Sequence, residues 1–461
     1  MVSTRPSRWL RHDRLDALLV VVGVALRIIQ YAYNRPFWLD EVSLGGNIVG
    51  RGVLDFGRPL IFEQLAPVGF LALERAAAQL LGPTTLTMRL LPLIGGVASV
   101  PLMAAVARRV LAPRAATLAL ALFALSDDLT YYASEMKPYS TDVALALLCL
   151  WLAPRDRDEH SKTTVDEFFG RLTLPWLTGP GVRLVALGVV GTLTVWLSFP
   201  AAFVLAGLGL AGFQDAIRRR RPGLAAAWIV IAQLWLASFA GSYRLATAMV
   251  APETRLWVFW DFSFPRRPAT AAGLLTWAIR SYCNLFINPF GFHTPLGAWA
   301  SAVPPALLFV LGAVAVGRSR PPWAVRLVVP LAAALLAGAC RLSPCYGRLV
   351  LFLAPTGHLL VAAGVDALAR GLGRRSAFTV LAAALLTWPI LTVLYHLVEP
   401  RLDREFNPHG DLRPDILVLA PPASGDRLRA FTPLPDAHAI CNGASRGRRI
   451  EGPRSMEWRL S

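Results

Sequence analysis

The chain has 461 residues, of which 55% are hydrophobic and only 16% charged, and its formal net charge is +17. Soluble domains carry about 25% charged residues, and a helix needs ~20 apolar residues to cross a bilayer. Apolar runs of that length recur here, so the chain is not a set of soluble domains. The basic excess does not point to nucleic acid either: all but two of the 46 basic residues are arginine, and they sit between apolar runs, where they orient a membrane protein.

Taken in chain order, the first run is predicted to span residues 15–33, with Arg5, Arg8, Arg11 and Arg14 holding its start inside. Its charge order is that of a signal peptide, but no small-residue cleavage site follows, and it is read as an uncleaved first span. LAPVGFLALERAAAQLLG, 65–82, is short and carries Glu74 and Arg75, which predicts a helix lying on the outer surface. Spans are then expected at 90–110, 114–126 and 143–153, with Arg108, Arg109 and Arg114 inside and SDDLTYYASEMKPYSTD outside. A polar inner linker follows at 154–181, with an amphipathic piece around Phe168 and Phe169. Further spans are expected at 183–197, 200–213, 224–240, 296–316, 323–340, 349–365 and 377–397, with an aromatic-rich outer region at 241–295. The expectation is an all-α polytopic membrane protein of about eleven spans, residues 1–397, followed by a polar extracytoplasmic tail, 398–461. No repeat stands out. The five cysteines show no metal spacing; Cys340 and Cys345 either pair in an oxidising compartment or remain free thiols.

Charge is nearly absent from the span centres, Arg27 being the clearest exception. Acids and aromatics gather at the outer ends instead. FWLDEVSLGGN sets Asp40 and Glu41 just past the first span. A carboxylate there is partly desolvated, which raises its pKa and suits it to take a proton from a hydroxyl; the ordinary alternative is a solvated loop pair. Glu63 precedes the surface helix, where the helix dipole alone favours an acid. Glu135, Lys137, Tyr139 and Asp142 share YYASEMKPYSTD, which is otherwise an interfacial aromatic belt with snorkelling charges. Arg348 stands at the mouth of a late span, and Arg58 is another outer cation. Together these residues offer bases for an acceptor and cations for a phosphate leaving group.

Four blocks resemble one known group. LDEVSLGG, FEQLAPVGFLALERAAAQLLG, LTMRLLPLIGGVASVPLMAAVARRVL and LSDDLTYYASEMKPYSTDVALALL are similar, in order and spacing, to the GT-C superfamily of polyprenyl-phosphate-sugar-dependent glycosyltransferases. Within it they resemble protein O-mannosyltransferases, the lipid A aminoarabinose transferase and bacterial mannosyltransferase-like membrane proteins. The resemblance covers residues 15–153, with weaker echoes to about 365. It implies a catalytic outer loop, 34–87, in which Asp40 binds and deprotonates the acceptor with Glu41 as its partner. Glu63 matches an acid that helps hold a divalent metal in some relatives, and Asp142 an acid at the outer start of a span. Lys137 stands where relatives carry arginine in an Arg-Pro-Tyr-like segment, and Arg348 resembles a late arginine that meets the donor phosphate. Ala66-Pro67 replaces the usual Pro-Pro, and His293 is the one outer-loop histidine before the tail.

The resemblance thus implies an inverting transfer from a polyprenyl-phosphate sugar donor to an unidentified glycan, lipid or protein acceptor. It would take place at the outer face of a bacterial cytoplasmic membrane, with a divalent metal as the one cofactor it allows for. Two other classes remain open at this point. A transporter or flippase for a lipid-linked sugar would show repeats, broken helices and midplane binding residues, and a catalytically silent glycan-binding scaffold would differ from an enzyme only in activity.

Overall fold

A computed structural model describes residues 7–37, 39–60, 64–154, 179–250 and 255–401. The described residues are mostly helical, and none of them lies in a strand. In a bilayer core an isolated helix is the one simple way to satisfy every backbone N–H and C=O within the segment. The order is α1 (Ser7–Ala32), α2 (Leu39–Gly50), α3 (Val68–Leu81), α4 (Leu90–Val110), α5 (Pro113–Ala124), α6 (Asp127–Tyr132), α7 (Tyr139–Leu152), α8 (Pro180–Leu197), α9 (Ala201–Arg218), α10 (Pro222–Ala248), α11 (Ala271–Ile287), α12 (Ala298–Ser319), α13 (Pro321–Ala339), α14 (Ala354–Gly371) and α15 (Arg375–Val398).

Among the described residues, eight helices are long and apolar enough to cross a membrane: those at 13–32, 87–110, 201–218, 222–248, 298–319, 321–339, 347–371 and 376–398. The other three expected spans fall on shorter apolar helices, Pro113–Ala124, Tyr139–Leu152 and Gly181–Leu197. The molecule is an all-helical, polytopic membrane protein. Two expectations change. The aromatic outer region contains a 17-residue helix, α11. Cys340 and Cys345 are both free, so the pairing considered for them is absent. The expected piece at Phe168 and Phe169 and the tail beyond 401 lie outside the described residues.

Side-chain contacts give the bundle a polarity. Arg108 at the end of α4 pairs with Asp13 and Asp16 at the start of α1, and Arg114 at the start of α5 pairs with Asp366 late in α14. Arg320, between α12 and α13, donates to the carbonyl of Arg109. One end of the bundle is therefore basic. Chain direction puts α2, α3, α6 and the 3-10 turn Gly347–Leu353 at the opposite end. There the two short helices α2 and α3 sit on their own apolar cluster, in which Leu44, Ile48, Phe56, Phe70, Leu71 and Met136 are buried. Arg75 of α3 caps the end of α2, donating to the carbonyls of Ile48 (3.1 Å) and Val49 (2.6 Å), which helical geometry leaves without partners. Small residues set the close crossings: a Cβ on Gly312 of α12 would strike the backbone of Leu360, and one on Gly364 of α14 that of Leu308. Backbones approach this closely in membranes because packing, not apolar transfer, holds spans together.

Candidate active site

Asp40 and Glu41 occupy the first turn of α2, where the exposed N–H groups of a helix favour acids. Successive helical residues point about 100° apart, and the two carboxylates accordingly part company. Glu41 turns inward and is fully buried. Its Oε1 accepts from Arg89 Nε (2.8 Å) and from the Met136 amide (2.8 Å), and its Oε2 from Arg89 Nη2 (2.8 Å) and Arg35 Nη1 (3.1 Å). Burial pushes this carboxyl up, but Arg35, Arg89 and the Met136 N–H outweigh it and pull it down to about 2. Arg89 also donates to the carbonyls of Arg35 (2.6 Å) and Pro36 (3.1 Å), and Arg35 to that of Ser134 (3.1 Å). Glu41 thus ties the start of α2 to α4 and to the loop before α7. The resemblance implies a catalytic partner for Asp40; in the fold both oxygens of Glu41 are buried and bonded, which locks the start of α2 in place.

Asp40 turns the other way and its side chain is 29% exposed. Arg348 Nη2 donates to its Oδ2 at 2.9 Å, while Arg348 Nε donates to the Tyr139 hydroxyl at 3.0 Å. Arg348 also lies over the rings of Tyr139 (5.9 Å) and Trp260 (5.6 Å). Lys137 is buried and donates to Gln64 Oε1 at 2.6 Å. Burial lowers its pKa; the negative charges of Asp40 and Glu41 oppose this, and Arg348 adds to it. An ammonium and a guanidinium, largely dehydrated and beside one half-exposed carboxylate, make a place where an anionic group gains charge-assisted hydrogen bonds.

The remaining expected residues divide. Asp142, in the first turn of α7, is buried, and its Oδ1 has no hydrogen-bond partner. Glu135 is fully buried between Ser134 and Met136. Arg58 stands apart on the surface, its side chain 78% exposed and paired with Asp55 at 3.3 Å. Glu63 lies outside the described residues. The structure adds Arg35, Arg89, Gln64 and Trp260, which sequence reasoning did not single out. The sequence signal for the first two was two arginines near the ends of apolar runs, easily taken for interfacial anchors.

Without Glu63, the described residues do not by themselves assemble a site for a divalent cation. Both oxygens of Glu41 are taken by guanidiniums, Asp40 carries one, and no group of three His, Cys, Asp or Glu residues among the described residues is arranged to hold a metal.

No family model matches the chain, and no curated protein matches it. Solved structures do resemble it. The oligosaccharyltransferase of Archaeoglobus fulgidus, in complex with Zn and sulfate, superposes at a TM-score of 0.48 and 15% identity over 82% of this chain. The AglB oligosaccharyltransferase of the same organism, with an inhibitory peptide and a dolichol-phosphate, gives 0.45 and 14% over 86%. ArnT from Cupriavidus metallidurans in the apo state gives 0.46 and 15% over 77%. These proteins are GT-C superfamily glycosyltransferases. The chain spans 52%, 55% and 60% of their lengths. The likeness is one of helix arrangement; the chemistry of the site rests on this chain's own residues.

Proposed function

We propose that the protein is a membrane glycosyltransferase that moves a sugar from a polyprenyl-phosphate donor to an acceptor hydroxyl, with inversion at the anomeric carbon. The observation that carries this reading is the Arg348–Asp40 contact of 2.9 Å beside buried Lys137. A carboxylate and two cations thus lie together at the end of the bundle opposite the arginine clusters, as a base and a phosphate site would require. Arginine collects on the cytoplasmic side of membranes, so the site faces outward, where a lipid-linked donor presents its sugar.

In the resting protein Arg348 holds Asp40. A donor phosphate competes for that guanidinium and for Lys137, and as Arg348 turns to the phosphate, Asp40 is released to act as a base. Its carboxylate takes the acceptor proton. The acceptor oxygen forms a bond to the anomeric carbon, and the carbon–oxygen bond to the phosphate breaks with its electron pair going to the phosphate oxygen. Lys137 and Arg348 stabilise that charge, with the rings of Tyr139 and Trp260 beside the guanidinium.

The test is transfer of labelled sugar from a purified polyprenyl-phosphate donor in proteoliposomes. Asp40→Asn keeps the shape but loses the base, and the expected loss in rate is ~10²–10⁴-fold with donor binding intact. Wild-type rate in that variant would remove Asp40 from the chemistry. Movement of the intact lipid-linked sugar across the bilayer without cleavage would replace the transferase reading by the transporter one.

A further inference from the structure

Tyr131, at the end of α6, is 1% exposed, and two guanidiniums lie over its ring: Arg35 at 4.5 Å and Arg401 at 4.6 Å from the centroid. Its hydroxyl is buried without a hydrogen-bond partner, so the ring, not the hydroxyl, is what the surroundings use. Two cations on one ring repel unless each carries its own counter-charge. Arg35 has Glu41 at 3.1 Å. Arg401 has Asp128 at 3.1 Å and a shorter contact to Asp127, and its backbone carbonyl accepts from Gln30 at 2.8 Å. His396 of α15 stands 3.7 Å from Asp127, and His293 stands 4.0 Å from Asp128.

The same ring begins a second line of contacts. Tyr131 meets Tyr132 edge-on at 5.3 Å, Tyr132 meets Tyr139 edge-on at 5.5 Å, and the Tyr139 hydroxyl accepts from Arg348, which holds Asp40. Arg401, just past the end of α15, is therefore joined to Asp40 by two routes. One runs through Arg35 and Glu41 to the backbone of α2, the other through three tyrosines to Arg348.

We propose that Arg401 and Tyr131 are a positioning pair for the site: by stacking the segment after α15 against Arg35, they hold the Glu41 lock closed and keep Asp40 in line with Arg348. The role in catalysis rests on the transferase reading; the mechanical coupling does not. A guanidinium on a desolvated ring has an energy that an alanine or an aliphatic side chain cannot supply, and a phenylalanine ring supplies nearly all of it.

Hydrogen exchange of the full chain in lipid nanodiscs decides the coupling. Arg401→Ala and Tyr131→Leu are expected to raise exchange in residues 42–50 of α2 and at the Met136 amide by about tenfold, the scale of one desolvated cation–π contact. Tyr131→Phe is expected to exchange as wild type does. Changes confined to 127–132 and 393–401 would overturn the coupling. In the transfer assay Arg401→Ala is expected to lower kcat about tenfold with the donor KM unchanged, and an unchanged kcat alongside faster α2 exchange would overturn the positioning role. Absence of transfer by wild-type protein overturns the proposed function instead, and the exchange result still stands or falls by itself.

Discussion

Arg348 and Asp40 stand 308 positions apart in the chain and 2.9 Å apart in the folded protein. The arginine comes from the 3-10 turn that opens the most enclosed span, and the carboxylate from a short helix lying on the bundle end. A carboxylate on a short surface helix thereby acquires a partner fixed by the core.

Donor binding tests that pairing. Lys137→Ala and Arg348→Ala each remove a dehydrated cation, and truncating one partner of a buried charge pair costs about 2–5 kcal/mol. Both variants are expected to raise the Kd for polyprenyl phosphate by at least tenfold in a proteoliposome binding assay. Arg348→Lys should restore it only in part, since a lysine cannot bridge Asp40 and Tyr139 together. Unchanged affinity in both alanine variants would take them out of the donor site.

Glu41→Gln separates the lock from the base. A glutamine cannot satisfy two guanidiniums, and breaking a buried pair by removing one charge costs about 3–5 kcal/mol. The variant is expected to melt at lower temperature in detergent. The wild-type contribution has a defined pH window. The folded pKa of about 2 lies below the ordinary 4.5, so the stabilisation is complete above 4.5 and is lost as pH falls from there towards 2. A melting curve for Glu41→Gln as steep below pH 4.5 as that of wild type would contradict this assignment.

Glu74 carries the opposite sign. On the buried stripe of α3 with Phe70, Leu71 and Ala78, it has neither carboxylate oxygen hydrogen-bonded. Burial pushes its pKa well above 4.5, so the folded protein holds a proton that the unfolded chain has lost. Stability is therefore expected to fall as pH rises above the ordinary glutamate range. Glu74→Met should remove that slope and stabilise the protein by about 1–3 kcal/mol at neutral pH, the cost of a buried unsatisfied polar group. Thermal melts at pH 5 and pH 8 check it; equal slopes in variant and wild type would show that Glu74 has a partner in the membrane.

Orientation is open to a direct measurement. In a background in which Cys283, Cys340 and Cys441 are replaced by serine, Arg58→Cys is expected to react with a membrane-impermeant maleimide in intact cells, and Arg219→Cys only after lysis. Arg58 lies at the site end and is largely exposed, whereas Arg219 lies in the arginine run between α9 and α10. The reverse pattern would put the site on the cytoplasmic face.

What the sequence by itself determined is the string of helices. Apolar length and arginine placement are properties of short windows, so the expected runs 90–110, 296–316 and 323–340 fall on α4, α12 and α13, and 65–82 on the short helix α3. The same windows showed that Asp40, Lys137 and Arg348 lie at helix mouths. Only the tertiary structure decided which of them meet. Asp40 and Glu41 are neighbours in sequence and look equivalent there, yet the 100° step of the helix sends one to Arg348 and the other into Arg35 and Arg89. Arg89 lay inside a block taken as a span entrance, and Tyr131 inside an aromatic belt. Arg89 meets Glu41 from 48 positions away, and Tyr131 meets Arg35 and Arg401 from distant parts of the chain, brought close by the packing of other helices. Hydrophobic periodicity records which face of a helix is buried; it does not record which charge on a neighbouring helix that face will meet.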